Sequence, residues 1–401
     1  MTDPFEREPA VFSAARRLPA AGALVLASLV IGVGVSALMF FKERQTLARA
    51  VAAEKELSKL RHEAEQIPGL LFAAQGLRSK RHTEGPNPSK LREEESMYRE
   101  ALALSRNVYG NDHNEVVYTL ANLGSVVGAE GRLSEAERCY REALAIREQH
   151  QDYIEIAWTA FRLGVLLSAQ GEYATSRDLL NRALEAAGAI EYTQGVLLAE
   201  LGMADASYLR GDVTSAAQAY LEARQLARVV EDAASESFAL GGLTQLAAEA
   251  QHEDEASGWL AAQAETGSRM SLQARASLLR SRSAVAQLHR YEAEAAARRR
   301  GALLLYHHMG DIRAVIEQLE ELARHAGQFE DLPRAAGLLS AAETLRRRTG
   351  LRSPTHATEK LTLVRQQIDQ SLDPKVRDAV ITGQTASLSA AVALGLRVGR
   401  G

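Results

Sequence analysis

Over most of the chain apolar residues return at every third or fourth position, the period that gathers them on one face of a helix. Leu120, Leu123 and Val127 form one such stripe, and Ala136, Tyr140 and Ala143 form the next. Gly131 lies between them as a flexible turn, and Gly124 leaves room for a close approach. Neither helix can cover its own stripe, so the pattern predicts antiparallel hairpins that bury their apolar faces against one another. The pattern also repeats. YREALAL at 98–104 returns as YREALAI at 140–146, 42 positions later, and the turn residues Gly131, Gly171 and Gly211 are 40 apart with Gln251 at the next interval. A fixed period of this size predicts a stack of hairpins sharing one continuous core. About seven hairpins are expected between residues 67 and 350. Irregularities are expected at the loop HTEGPNPSK, residues 82–90, and after residue 235, where Gln251 and His289 stand in place of the turn glycine.

Two different patterns precede the repeats. Ala20 to Phe41 carries 22 residues without a charge, about 33 Å as a helix, against a hydrocarbon core of about 30 Å. The competing reading is a cleavable signal peptide, since Arg16 and Arg17 precede the run. Signal cores are shorter, and Lys42, Glu43 and Arg44 close the run without a small-residue cleavage site, so an uncleaved single-pass anchor is expected. Ser28, Gly32 and Ser36 recur every four residues and offer a face for a homodimer through this helix. The side of the C-terminal domain stays undetermined. Arg16 and Arg17 before the run oppose the larger number of Lys and Arg that follow it. Residues 42–66 form a charged stretch with a broken apolar stripe, Leu47, Val51, Leu57 and Leu60, which Pro68 is expected to end. The expected fold class is all-α: a transmembrane helix followed by an α-solenoid. Its parts are an N-terminal tail (1–19), the transmembrane helix (20–41), a helical stalk (42–66), the solenoid (67–350) and a C-terminal helical cap (351–401).

Composition narrows function. Hydrophobic residues make up 46% of the chain and aromatic residues only 5%, and Ala and Leu carry the difference, which disfavours strands. A net charge of -4 supplies no field for nucleic acid. The triplets Arg298–Arg300 and Arg346–Arg348 are offset by Glu292, Glu294 and Glu343, as on solvated helix faces. The single Cys139 has no disulfide partner and sits at a packed position of a repeat. No phosphate-binding GxxxxGK[ST] loop exists, and the ten histidines form no HExxH or HxH pair. His307 and His308, as helix neighbours, point about 100° apart and are poorly set to share a metal. Glu93, Glu94 and Glu95 suit a helix start, where negative charge meets the dipole. No catalytic, cofactor-binding or metal-binding residue follows, and the chain reads as a protein that is not an enzyme and takes no cofactor and no nucleic acid.

LANLGSVVGAEGRLSEAERCYREALAI at 120–146 and FRLGVLLSAQGEYATSRDLLNRAL at 161–184 resemble the tetratricopeptide (TPR) family, in its long-repeat variety found in kinesin light chains and bacterial regulators. LPRAAGLLSAAETLRRRTG at 332–350 and DPKVRDAVITGQTASLSAAVALGL at 373–396 resemble the end of large bacterial transcription regulators and signalling ATPases, with Gly383 and residues 387–396 matching best. In those proteins the tail closes the helical array. Their nucleotide-binding and helix-turn-helix domains have no counterpart in this sequence. The TPR resemblance implies that the first helix of each hairpin lines a concave surface. The lining residues would be Tyr118, Asn122 and Ser125; Trp158, Phe161, Arg162 and Val165; Asp205 and Tyr208; and Phe238 and Gln245. Trp, Tyr and Arg dominate protein-binding hot spots. The competing reading is that Trp158 and Phe161 fill gaps between hairpins. The expected function is a membrane-anchored scaffold that binds a protein or peptide partner. The alternative is a regulatory arm acting on a separately encoded kinase, ATPase or transcription regulator.

Overall fold

The computed structural model describes residues 20–84, 88–266, 271–382 and 387–397, and these contain helices and turns but no strand. The chain falls into two units, residues 1–65 and 66–401. The expected tail 1–19, and Gly383 of the C-terminal resemblance, lie outside the described residues.

The first helix, α1 (Ala20–Glu84), corrects the membrane expectation. Among the described residues no helix is long and apolar enough to cross a membrane. The apolar run at 20–41 is not an element of its own. It opens a helix of 65 residues that continues without a break through Lys42, Glu43 and Arg44. The transmembrane helix, the single-pass membrane localisation, the bilayer as partner through residues 20–41 and the homodimer through that helix therefore lose their basis. Pro68 also fails to end the helix. It removes one backbone hydrogen bond at a cost of about 3 kcal/mol, yet α1 runs on to Glu84. Ile67, Leu71 and Ala74, all buried in the core of the second unit, hold the helix through the proline by tertiary packing.

In the second unit the end of α1 pairs with α2 (Pro88–Tyr109). Six further hairpins follow: α3 (Asn114–Ala129) with α4 (Leu133–His150), α5 (Tyr153–Ala169) with α6 (Tyr173–Ala189), and α7 (Thr193–Arg210) with α8 (Val213–Val229). Then come α9 (Ala233–Glu249) with α10 (Glu253–Glu265), α11 (Leu272–Leu288) with α12 (Glu292–Met309), and α13 (Ile312–Gln328) with α14 (Leu332–Thr349). Three helices close the order: α15 (Thr355–Ser371), α16 (Pro374–Thr382) and α17 (Leu388–Leu396). First helices start on caps that the sequence supplies: Asp152, Asp232, Ser271 and Asp311 accept hydrogen bonds from the opening backbone N–H groups of α5, α9, α11 and α13.

Each of these six hairpins turns through one left-handed residue. Gly131, Gly171 and Gly211 take φ of 81°, 83° and 87°, whereas Gln251, Arg290 and Glu330 take 61°, 60° and 58°. The turn of the sixth hairpin is thus Arg290 and not His289, because it is the left-handed residue that reverses the chain. A side chain there costs about 1 kcal/mol.

Packing follows the stripes read from the sequence. A Cβ on Gly124 would lie 2.9 Å from the Tyr140 ring, so the close approach of α3 and α4 needs glycine. The array also returns on itself. A Cβ on Gly131 would lie 2.9 Å from Thr349, one on Gly171 would lie 2.8 Å from Arg352, and the Arg352 backbone N–H donates to the Ala169 carbonyl at 3.1 Å. The turns of the second and third hairpins therefore lie against the connection between α14 and α15. At the C-terminal end, α17 seats Gly395 on Leu303, Leu319 and Leu322 of α12 and α13.

Candidate functional site

The first helices place their inner residues by register from the turn. Tyr118, Trp158 and Phe238 stand thirteen positions before their turn residue, and Ser125, Val165, Asp205 and Gln245 stand six before it. Phe161 and Arg162 stand ten and nine before Gly171; ten before Arg290 stands Arg280, and thirteen, ten, nine and six before Glu330 stand Glu317, Glu320, Glu321 and Arg324. These five were missed from the sequence because their turns carry no glycine to count from.

The residues expected to line one groove are distributed over separate surroundings. Ser125, Phe161, Arg162 and Val165 come together in a cavity of about 300 Å³, whose opposite wall is Ile312, Arg313, Thr349 and Leu351. Arg162 also lies over the Trp158 ring, 5.9 Å from its centroid. Asp205 accepts from Arg313 Nη1 at 2.8 Å, across 108 residues of sequence, and its charge drives the Arg313 pKa further up. Tyr118 and Asn122 are taken up by α1: Gln75 donates to the Tyr118 hydroxyl and Arg78 donates to the Asn122 side-chain oxygen. Phe238 packs tilted on Tyr220, with centroids 6.4 Å apart.

Tyr208 and Gln245 belong to a second, ionic chamber of about 60 Å³ with Arg280, Glu317, Gln318 and the start of α15. Tyr208 donates to Glu249 at 2.8 Å and Gln245 donates to the same carboxylate at 2.9 Å. Most charges here are matched. Arg346 holds Glu320 through two parallel bonds of 2.6 and 2.7 Å, with both side chains almost fully buried. Glu321 accepts from Arg324 at 2.9 Å and also from Arg299, which donates in addition to Ser283 at 3.1 Å. Burial alone would raise the Glu321 pKa, but Arg299 and Arg324 outweigh it and hold the carboxyl well below its ordinary range. Glu317, one helical turn earlier, shows the opposite result, since burial pushes its pKa up. Burial also drives the Tyr208 hydroxyl well above its usual range and the Tyr306 hydroxyl up to about 12, so both remain neutral. Cys139 is buried, and burial pushes its thiol pKa up, away from the reactive thiolate.

Several known proteins resemble parts of the chain. A kinesin light chain protein of Podosopora anserina with nearly identical TPR-like repeats is 14% identical, covering 50% of this chain and 95% of that one, with a TM-score of 0.42. BtubC (BKLC) from P. vanneervenii is 17% identical, covering 51% and 90%, with a TM-score of 0.41. The apo form of RapI is 13% identical, covering 76% and 100%, with a TM-score of 0.46. No curated protein matches the sequence. The tetratricopeptide repeat family model matches residues 95–149, which include both YREALAL and YREALAI. That stretch of the chain is tetratricopeptide repeat, set within a longer array of TPR-like hairpins.

Proposed function

We propose that the protein is an interaction scaffold whose inner face takes an extended peptide segment of a partner protein. The reading is carried by the cavity at Phe161. Phe161, Val165, Ile312 and Leu351 supply an apolar floor, while Arg162 and Arg313 stand beside it as cations. A mainly apolar hollow with a few polar groups is what a ligand side chain needs for both burial and orientation. The walls come from elements far apart in the chain and held by the Asp205–Arg313 pair, so the hollow is formed before a ligand arrives and costs little ordering on binding.

The test is selection of peptides from a random display library on the full chain, followed by affinity measurement. Phe161→Ala is expected to weaken the selected peptides at least tenfold, while Phe329→Ala, at an exposed aromatic of α13's end, leaves them unchanged. An empty selection, or equal loss in both variants, would contradict the reading.

A further inference from the structure

The ionic chamber contains one guanidinium whose hydrogen-bonding capacity its described neighbours leave unused. Arg280 of α11 makes no hydrogen bond and no ion pair with any described residue, and its Nε is buried without a partner. Glu320 is matched by Arg346, and Glu321 by Arg299 and Arg324. Glu249 takes the hydrogen bonds of Tyr208 and Gln245. Arg280 and Lys360 line the chamber together with the carboxyls of Glu249 and Glu317, and the charge of Glu317, whose burial favours the neutral form, acts on Arg280 without a hydrogen bond. On the same wall Gln318 is only 2% exposed, and its side-chain oxygen accepts nothing. A buried N–H donor and a buried acceptor without hydrogen-bond partners are costly in a folded protein, and a ligand that satisfies both recovers that cost.

Size and polarity define the ligand. At about 60 Å³ the chamber admits a group the size of a carboxylate. It shares Gln245, Glu249, Arg299, Glu321, Arg324 and Lys360 with an adjoining polar chamber of about 560 Å³, which has room for the remainder of a larger molecule. The Gln318 oxygen needs a donor, which a peptide N–H supplies and a free dicarboxylate lacks. We propose that this chamber is a subsite for one aspartate or glutamate side chain of a bound peptide, with the Arg280 guanidinium as its counter-ion. The proposal rests on the peptide-binding reading of the inner face.

The experiment uses the full chain and peptides blocked at both ends, selected as above, each made in paired forms with Glu or Gln at its acidic position. Titration calorimetry is expected to find the Glu form bound at least tenfold more tightly. Arg280→Gln should abolish that preference while the variant still melts cooperatively as a folded protein. Arg280→Lys, which keeps the charge without the planar fork, should retain part of the preference. Peptides that bind with no preference for Glu in the wild-type protein would overturn this subsite and leave the scaffold reading intact, whereas no peptide binding at all would remove both. Glutarate binding as tightly as the Glu peptides would overturn the peptide as the source of the carboxylate. Loss of folding in Arg280→Gln together with unchanged preference in Arg280→Lys would make Arg280 a structural residue.

Discussion

The second to fourth hairpins and the fifth to seventh reach the same geometry with different chemistry. In the earlier set, glycine occupies the left-handed turn positions, and the inner residues Phe161, Val165 and Trp158 are apolar or aromatic, with Arg162 and Asp205 as the charges among them. In the later set, Gln251, Arg290 and Glu330 adopt the left-handed conformation despite their side chains, and the inner positions carry Arg280, Glu317, Glu320, Glu321 and Arg324. The difference separates what stacking requires from what it tolerates. Stacking needs small buried residues where helices cross, and both sets have them, as in Ala160, Ala183, Ala302 and Ala323. It tolerates a strained turn and a charged inner face, provided that each buried charge is answered.

The most damaging way to break this balance is to leave one charge unanswered. Arg346→Met strands the buried Glu320 carboxylate and is expected to cost about 3–5 kcal/mol in chemical unfolding. The double variant Glu320→Leu with Arg346→Met should recover most of that loss, and its failure to do so would mean the pair supports the fold by more than charge compensation. In the earlier set the corresponding weak point is steric. Gly131→Ala puts a side chain into a left-handed residue and within 2.9 Å of Thr349, and a loss of about 2 kcal/mol is expected. Adding Thr349→Ala should restore part of it, because it removes the side chain that the new methyl group meets.

A smaller effect depends on pH and distinguishes two carboxyls on one helix. Glu321, with its folded pKa depressed, contributes stability that is present above the unfolded carboxylate pKa of about 4.3 and is lost as acid protonates the folded form. Glu317, with its folded pKa raised, acts in the opposite sense and lowers stability as pH rises past the unfolded value. At neutral pH Glu321→Gln should therefore destabilise and Glu317→Gln should stabilise, with the Glu317→Gln gain vanishing below about pH 4 in thermal melts across pH. The smallest effect belongs to the outer ladder between neighbouring second helices, in which Arg106 pairs with Glu142 in an exposed setting. Arg106→Ala should change stability by less than about 1 kcal/mol, and added salt should erase the change.

The legibility of the fold divided along the same line. Where glycine marked the turn, the stripes of α3 and α4 and the approach at Gly124 could be read directly, because local period and backbone freedom suffice for them. Where a charged residue took the left-handed turn, the register slipped by one, from Arg290 to His289, and the turn at Glu330 went unmarked, so the ionic inner face went unseen. The run at 20–41 misled for a related reason. A window of hydropathy treats a segment as a separate element, whereas backbone hydrogen bonding carried α1 past Phe41 and even past Pro68.

By itself the sequence determined that the chain is helical, that its helices pair in hairpins, and which face each hairpin buries in its well-formed repeats, since all of these depend on residues within some forty positions of one another. Only the tertiary structure decided which inner residues meet. Asp205 finds Arg313, and Gly171 finds Arg352, because small rotations between successive hairpins accumulate until the array closes, and no local pattern records that sum.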